Sequence, residues 1–243
     1  MNNNAYECYV KTHFSSIHTF NEKEYEESHK HYERFIGPFL PVDKASRIAD
    51  IGCGSGFFLN YLKRIGYTNI CGVDLSSEQI ELCKKLGISE VNVEEGTEFL
   101  ERNKGVFDLL FSAYLIEHLT KEGVIRLFEA IYNSLGHDGF AILVTNNATP
   151  LFSGLVQYFD FTHTMLFTPI SLRQALRMAG FQEIGIFPME PFGTKITSEP
   201  RRFLSKIIDK IYRMLFIIEF GWEGYKRFQP VIFTSGITAV ARK

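Results

Sequence analysis

The chain has 243 residues, 45% of them hydrophobic and 22% charged, with a formal net charge of −2. That length and apolar fraction suit one large folded domain and exclude a mainly disordered chain. The near-neutral balance excludes a protein built around a nucleic-acid phosphate footprint. The balance hides a split, because residues 1–194 carry 16 basic and 24 acidic side chains and residues 195–243 carry 10 and 4. No apolar run approaches the roughly 20 residues of a membrane span. The first residues hold no basic stretch followed by an apolar core, so a cytoplasmic location is expected. Cys8, Cys53, Cys71 and Cys83 form no C-x-x-C pair and read as free thiols in a reducing compartment.

Residues 1–45 read as a polar, helical extension. Asn21 is placed to cap a helix whose first turns carry Glu22, Glu24, Glu26 and Glu27, and Tyr25, His29, Tyr32 and Ile36 recur at helical spacing. Gly37-Pro38 ends it. From residue 46 the pattern changes to short apolar runs alternating with amphipathic stretches. Strands are predicted at 47–51, 69–73, 90–93, 106–112 and 139–145. Helices are predicted at 56–65, at 77–86 behind a Ser76 or Ser77 cap, and at 121–135. This alternation argues for an α/β domain over 46–243 with a doubly wound, mostly parallel sheet. Residues 146–168 show no clear period and read as a lid on the acceptor side. A helix at 170–179 and a strand at 181–189 follow. Residues 197–228 read as a helical insert before a last strand at 231–241, with an apolar stripe over 200–218.

The most informative stretch is Asp50-Ile51-Gly52-Cys53-Gly54-Ser55-Gly56-Phe57, where a strand runs into three alternating glycines and then a helix. Such a turn brings backbone close to a ligand and points helix N–H groups at it. A dinucleotide fingerprint requires a third glycine where Phe57 stands, and a P-loop requires a Gly-Lys-Ser/Thr that is absent. The motif resembles the first motif of class I S-adenosylmethionine-dependent methyltransferases. That resemblance implies a seven-stranded sheet with an antiparallel last strand, binding of S-adenosylmethionine and release of S-adenosylhomocysteine. It places the cofactor against 50–57 and assigns a ribose-binding role to Asp74, with Leu75 beside it. Near the adenine the acidic slot of the family aligns with Gly96, so the backbone of Gly96 and Thr97, or a shifted Glu95, takes its place. The fourth strand and its exit, Phe111-Ser112-Ala113-Tyr114-Leu115-Ile116-Glu117-His118-Leu119, resemble the small-molecule branch. Ala113 and Tyr114 then lie beside the methionine part of the cofactor, and His118 is within reach of the site or merely shapes the loop.

On the acceptor side, Asp160 is the one formally charged residue between Gly139 and Leu172. A lone carboxylate among aromatics needs a partner, and His163 is the expected one, either as an Asp–His couple with His163 as general base or as a loop-fixing pair. Sugar and small-molecule methyltransferases resemble this segment in their Asp-x-Thr-His stretch. With Asp160 and His163 as the only evident ligands, no metal is expected. Seven phenylalanines, at 152, 159, 161, 167, 181, 187 and 192, suggest a dry aromatic lid. The expected reaction is methyl transfer to an oxygen of a small molecule or glycan precursor. An idle cofactor- or partner-binding module and a nucleic-acid or protein methyltransferase are the alternatives. The stripe at 200–218, flanked by Arg201, Arg202, Lys206, Lys210 and Arg213, is expected to pack on the sheet, on a second subunit as a homodimer, or on an anionic membrane or lipid-linked substrate.

Overall fold

In a computed structural model the described residues are 19–190 and 199–243; side chains are described from 19 to 190, at 204 and from 206 onward. The elements run α1 (Glu22–Phe35), β1 (Ile48–Ile51), α2 (Phe57–Arg64), β2 (Ile70–Asp74), α3 (Ser77–Lys85), β3 (Val91–Val93), α4 (Gly96–Arg102), β4 (Phe107–Ala113), α5 (Lys121–Ser134), β5 (Leu135–Asn146), α6 (Ser153–Phe159), α7 (Pro169–Met178), β6 (Glu183–Met189), α8 (Glu199–Arg227) and β7 (Gly236–Arg242). The strands form one sheet in the order β3-β2-β1-β4-β5-β7-β6. β1 to β5 are parallel, and β7 inserts antiparallel between β5 and β6. This is the expected α/β, seven-stranded, doubly wound fold.

Side chains alternate across the sheet, so each strand feeds two cores. Ala49, Ile51, Leu110 and Leu143 join Phe128, Ile131 and Leu172 of α5 and α7 on one face. Ile48, Leu109, Phe111 and Ile142 meet Phe58, Tyr61 and Leu62 of α2 on the other. Asp50 shares the pleat of Ile48 and therefore lies on the α2 face. α1 packs across α2, as Tyr32 lies 5.3 Å from the ring of Phe58 and 5.7 Å from that of Tyr61.

The caps follow the chemistry of the sequence. Asn21, Ser76, Thr120 and Thr168 each accept an amide from the first turn of α1, α3, α5 and α7. Several expectations are corrected. α4 was not expected; Glu95 caps it, its carboxylate accepting from the Glu98 amide at 2.8 Å and the Thr97 hydroxyl at 2.9 Å. The last strand begins at Gly236, not Val231, because the carbonyls of Ile232 and Thr234 are taken by the Asn147 amide at 2.8 Å each instead of by a neighbouring strand.

The lid is also different. α6 crosses residues 153–159, and Phe152, Phe159 and Phe161 face outward, Phe161 fully exposed, while Phe167 and Phe181 are core. Phe192 lies outside the described residues. The 200–218 stripe belongs to α8, which does not lie down on the sheet. It breaks at Gly221 (φ 71°, ψ 171°) and folds back, bringing Phe216 to 5.8 Å from Phe228 and Arg213 Nη1 to 2.8 Å from the Tyr225 hydroxyl. Its apolar residues, Leu204, Ile208, Met214, Leu215, Ile218 and Trp222 among them, stay exposed. The side chains of Arg201 and Arg202 lie outside the described residues. Cys53, Cys71 and Cys83 are free thiols.

Candidate active site

The glycine turn sits at the carboxyl end of β1, beside the exits of β2 and β4, where open α/β sheets hold their ligands. Gly52, Gly54 and Gly56 all have positive φ, at 73°, 52° and 77°. At Gly54 and Gly56 the need for glycine is double. A Cβ on Gly54 would lie 2.8 Å from Gln79 Oε1, and one on Gly56 would lie 2.8 Å from Cys83 Sγ, on top of the strain of a left-handed L-residue. The amides of Gly52 and Cys53 bond the Val73 carbonyl at 2.9 and 3.0 Å, which pins the turn to β2.

Asp74 ties the same two elements together. One carboxylate oxygen accepts the Gly54 amide at 2.9 Å and the other accepts the Ser76 amide at 2.8 Å. Burial raises its carboxyl above the usual range, against the pull of these amides. A carboxylate has about four acceptor sites, so beside these amides it keeps capacity for a ribose hydroxyl. Leu75 next to it is exposed. Asp50, 3% exposed, is pushed well above the ordinary carboxylate range by burial and then by the charge of Asp74. A cation placed near it would reverse that penalty.

Two polar atoms at the turn, Ser55 Oγ and Gln79 Oε1, are buried with no hydrogen-bond partner. Orphaned buried polar atoms are uncommon in a finished core. Beside glycines held open by positive φ they form a cradle, and it fits a polar, cationic ligand of the S-adenosylmethionine type. Gly96 opens α4 against the end of β1, where a Cβ would come within 2.5 Å of Ile51 Cγ2, and Thr97 follows it into the interior.

α1 closes this end, which the sequence left open. The Tyr25 hydroxyl donates to the Ser55 carbonyl at 2.9 Å, its ring lies 4.5 Å from that of Phe57, and burial raises its pKa to about 12. Tyr32 comes near Asp50 and Tyr114, and burial followed by those two charges raises its hydroxyl as well. At the exit of β4, Ala113 is half-buried and Ser112 Oγ bonds the Ile51 carbonyl at 2.8 Å. Tyr114 has φ +54° without being glycine. Such strain costs about 1–3 kcal/mol and gathers at functional positions.

The acceptor-side groups converge from two segments. The Glu117 carbonyl accepts the Thr164 amide at 2.8 Å and the Thr164 hydroxyl at 3.0 Å, stapling 160–165 onto the loop after β4. His118, Asp160 and His163 thereby offer ligand atoms all within 4.8 Å of one another. Asp160 is 4% and His118 8% exposed, and the two imidazoles lie 4.8 Å apart. The expected Asp160–His163 side-chain couple takes another form. His163 Nδ1 lies 3.0 Å from the Val156 carbonyl, while Asp160 Oδ1 accepts the Thr162 amide at 2.8 Å and the Thr162 hydroxyl at 2.7 Å. The Thr162 hydroxyl oxygen in turn lies 2.8 Å from His118 Nδ1. His118, expected only to be within reach, is a full member of the group.

Glu117 had no assigned role. It is fully buried and accepts from the Thr145 hydroxyl and the Asn146 amide at 2.9 Å each. Burial, with a smaller contribution from Asp160, raises it to about 7 against those hydrogen bonds. Its neighbour in the Glu-His-Leu signature was the only sequence signal for it.

The family model described as a methyltransferase domain matches residues 20–184, from the start of α1 into β6. The chain belongs to the methyltransferase-domain family. Among solved structures it is similar to an S-adenosylmethionine-dependent methyltransferase of Archaeoglobus fulgidus, with TM-score 0.65, 22% identity, and 90% of this chain and 94% of that one covered. It is also similar to a possible histamine N-methyltransferase of Thermotoga maritima, with TM-score 0.64, 15% identity and 99% of both chains covered. A phosphoethanolamine N-methyltransferase of Haemonchus contortus, solved with S-adenosyl-L-methionine, matches with TM-score 0.62 at 18% identity, over 98% of this chain and 60% of that one. A ribosomal protein L11 methyltransferase of Thermotoga neapolitana is 30% identical over 79 residues, which is 31% of this chain and 30% of that protein. The chain thus spans less than a third of the length of that curated relative.

Proposed function

We propose that this methyltransferase-family chain uses S-adenosylmethionine to methylate an oxygen of a small molecule or glycan precursor. The cradle at 50–57, with its positive-φ glycines and two orphaned buried polar atoms, is the observation that carries the cofactor reading. When bound, S-adenosylmethionine supplies a sulfonium methyl to a nucleophile and leaves as neutral S-adenosylhomocysteine. Asp74 and the amides of 52–56 hold the nucleoside end, Gly96 and Thr97 border the adenine, and Asp50, with Tyr32 and Tyr114 near it, faces the cationic end. Since the leaving group is already good, the chain's task is alignment, exclusion of water and removal of the acceptor proton.

The group of His118, Asp160 and His163 supports an oxygen acceptor, because a hydroxyl needs a base and these are the basic side chains brought together at the β4 exit. His163 Nδ1 faces a carbonyl, which only accepts, so the proton sits there and Nε2 carries the lone pair. Incubation with methyl-labelled cofactor and matched panels of hydroxyl and amine acceptors tests this. Label in a methyl ether supports the reading, label on nitrogen overturns the oxygen assignment, and absence of cofactor binding by calorimetry overturns the whole.

α8 carries a reading of its own. Its exposed apolar side chains accompany Lys206, Lys210, Lys226 and Arg227, so charge complementarity favours an anionic lipid surface and a lipid-linked acceptor. Flotation with vesicles rich in anionic lipid tests it. Binding that is lost in Ile208→Glu and Leu215→Glu supports the reading; a chain that stays unbound at low salt overturns it.

A further inference from the structure

We propose that one imidazole nitrogen each of His118 and His163 and a carboxylate oxygen of Asp160 form a three-ligand site for a borderline first-row dication of the Zn2+ type. The residues come from two segments of the chain, the loop after β4 and the turn after α6, and the sequence offers no metal-binding spacing for them. The structure supplies what spacing did not: three ligand atoms of the right kinds within 4.8 Å of one another, two of their side chains less than a tenth exposed. Around zinc, ligands at about 2.0–2.1 Å lie about 3.4 Å apart in a tetrahedron, so the widest pair has at most about 1.4 Å to close. Small side-chain rotations cover that.

The surrounding hydrogen bonds orient the ligands as a second shell does in known metal sites. The Val156 carbonyl at 3.0 Å fixes the Nδ1–H tautomer of His163. The Thr162 hydroxyl gives its proton to Asp160 Oδ1 at 2.7 Å, so towards His118 it accepts, and His118 Nδ1 is the donor across 2.8 Å. These bonds hold both rings in place beside Asp160. One hydroxyl, that of Thr162, orders two of the three ligands at once. Two imidazoles and one carboxylate suit zinc and its neighbours rather than calcium or magnesium, which prefer all-oxygen cages.

Three protein ligands leave a position open on such an ion, and His163 is only half-buried, unlike His118 and Asp160. An acceptor hydroxyl bound there loses its proton at lower pH, as water does on such an ion. This use of the ion rests on the oxygen-acceptor reading, whereas metal binding does not. With the ion seated, His163 holds the ion that acidifies the hydroxyl, and solvent takes the proton.

The test is titration of the whole chain with Zn2+ against a chromophoric chelator, with Co2+ as a spectroscopic stand-in and no cofactor or acceptor added. The expected result is one ion per chain, with a Co2+ spectrum of nitrogen and oxygen ligation. His163→Gln and Asp160→Asn remove it, and Thr162→Val, which spares every ligand, weakens it about 10–100-fold. Circular dichroism of each variant confirms that the fold is retained. The proposal is overturned by a wild-type chain that binds no ion, by His163→Gln and Asp160→Asn variants that bind as well as wild type, or by a thiolate charge-transfer band placing the ion on Cys53 and Cys83. Stoichiometric binding without methyl-ether product leaves the metal site standing and removes only the acceptor reading.

Discussion

Asp74→Asn is the sharpest probe of the cofactor end, because one side chain serves both the fold and the ligand. In the structure one carboxylate oxygen accepts the Gly54 amide at 2.9 Å and the other accepts the Ser76 amide at 2.8 Å. Asparagine keeps one oxygen and presents an NH2 where the other was, so one amide loses its acceptor and meets a donor instead. A hydrogen bond to a charged group contributes about 1.5–3 kcal/mol. For a chain of this size 1 kcal/mol moves the melting temperature by about 2–4 °C, so a fall of about 3–12 °C is expected without ligand. The ribose contact is lost in addition. A second charged hydrogen bond of the same strength corresponds to about 10–150-fold weaker binding of S-adenosylhomocysteine. Thermal unfolding with and without ligand, together with calorimetry, separates the two effects. Should the variant melt lower yet bind the ligand as tightly as wild type, Asp74 would be a turn brace only, and the ribose assignment would be refuted.

Four further outcomes follow from the same geometry. Asp50→Asn should raise the melting temperature of the ligand-free chain while weakening S-adenosylmethionine, a cation, more than neutral S-adenosylhomocysteine; equal loss for both ligands contradicts the charge argument. The pH dependence has a definite sign. A carboxyl raised in the fold holds its proton more tightly there, so Asp50 adds stability below its unfolded pKa, and that contribution is lost as pH rises toward its raised folded value. Wild-type melting temperatures should show this decline from about pH 4 upward, and Asp50→Asn should flatten it. Tyr25→Phe deletes the bond to the Ser55 carbonyl at no cost in shape, so it should cost about 1 kcal/mol and loosen α1 over the turn, read as faster amide exchange at 55–57. Gly56→Ala combines a left-handed φ with a 2.8 Å approach to Cys83 Sγ, and should cost about 2 kcal/mol or more in denaturant unfolding; unchanged stability would mean the turn relaxes freely.

Much of the cofactor end was legible in the chain itself. Short continuous apolar runs and period-3.6 stretches located β1 to β5 and most of their helices, because a strand buried on both faces is apolar throughout and a helix buried on one face carries a helical stripe. The turn from Asp50 to Phe57 and Asp74 at the end of β2 were readable because the constraint on each is local: a left-handed backbone admits glycine, and a strand end places its carboxylate. α4 went unseen since its start signal is a lone Glu95 cap on a helix of under two turns. The acceptor side was half legible. Asp160 stood out as an isolated charge, yet its partners come through Thr162 from His118, 44 residues earlier than that threonine. Composition also misled there, because an aromatic side chain in a short helix has no period long enough to tell inward from outward.

By itself, then, the sequence determined the succession of strands with most of their helices, the glycine turn and the acidic residue beside it, all settled by contacts between near neighbours or by backbone sterics. Only the tertiary structure decided that α1 lies over the turn through Tyr25, that α8 leaves its apolar stripe uncovered, and that His118 joins Asp160 and His163. Each of these depends on which surfaces remain once the sheet has closed its two cores. That competition among distant parts of the chain is written in no single segment of it.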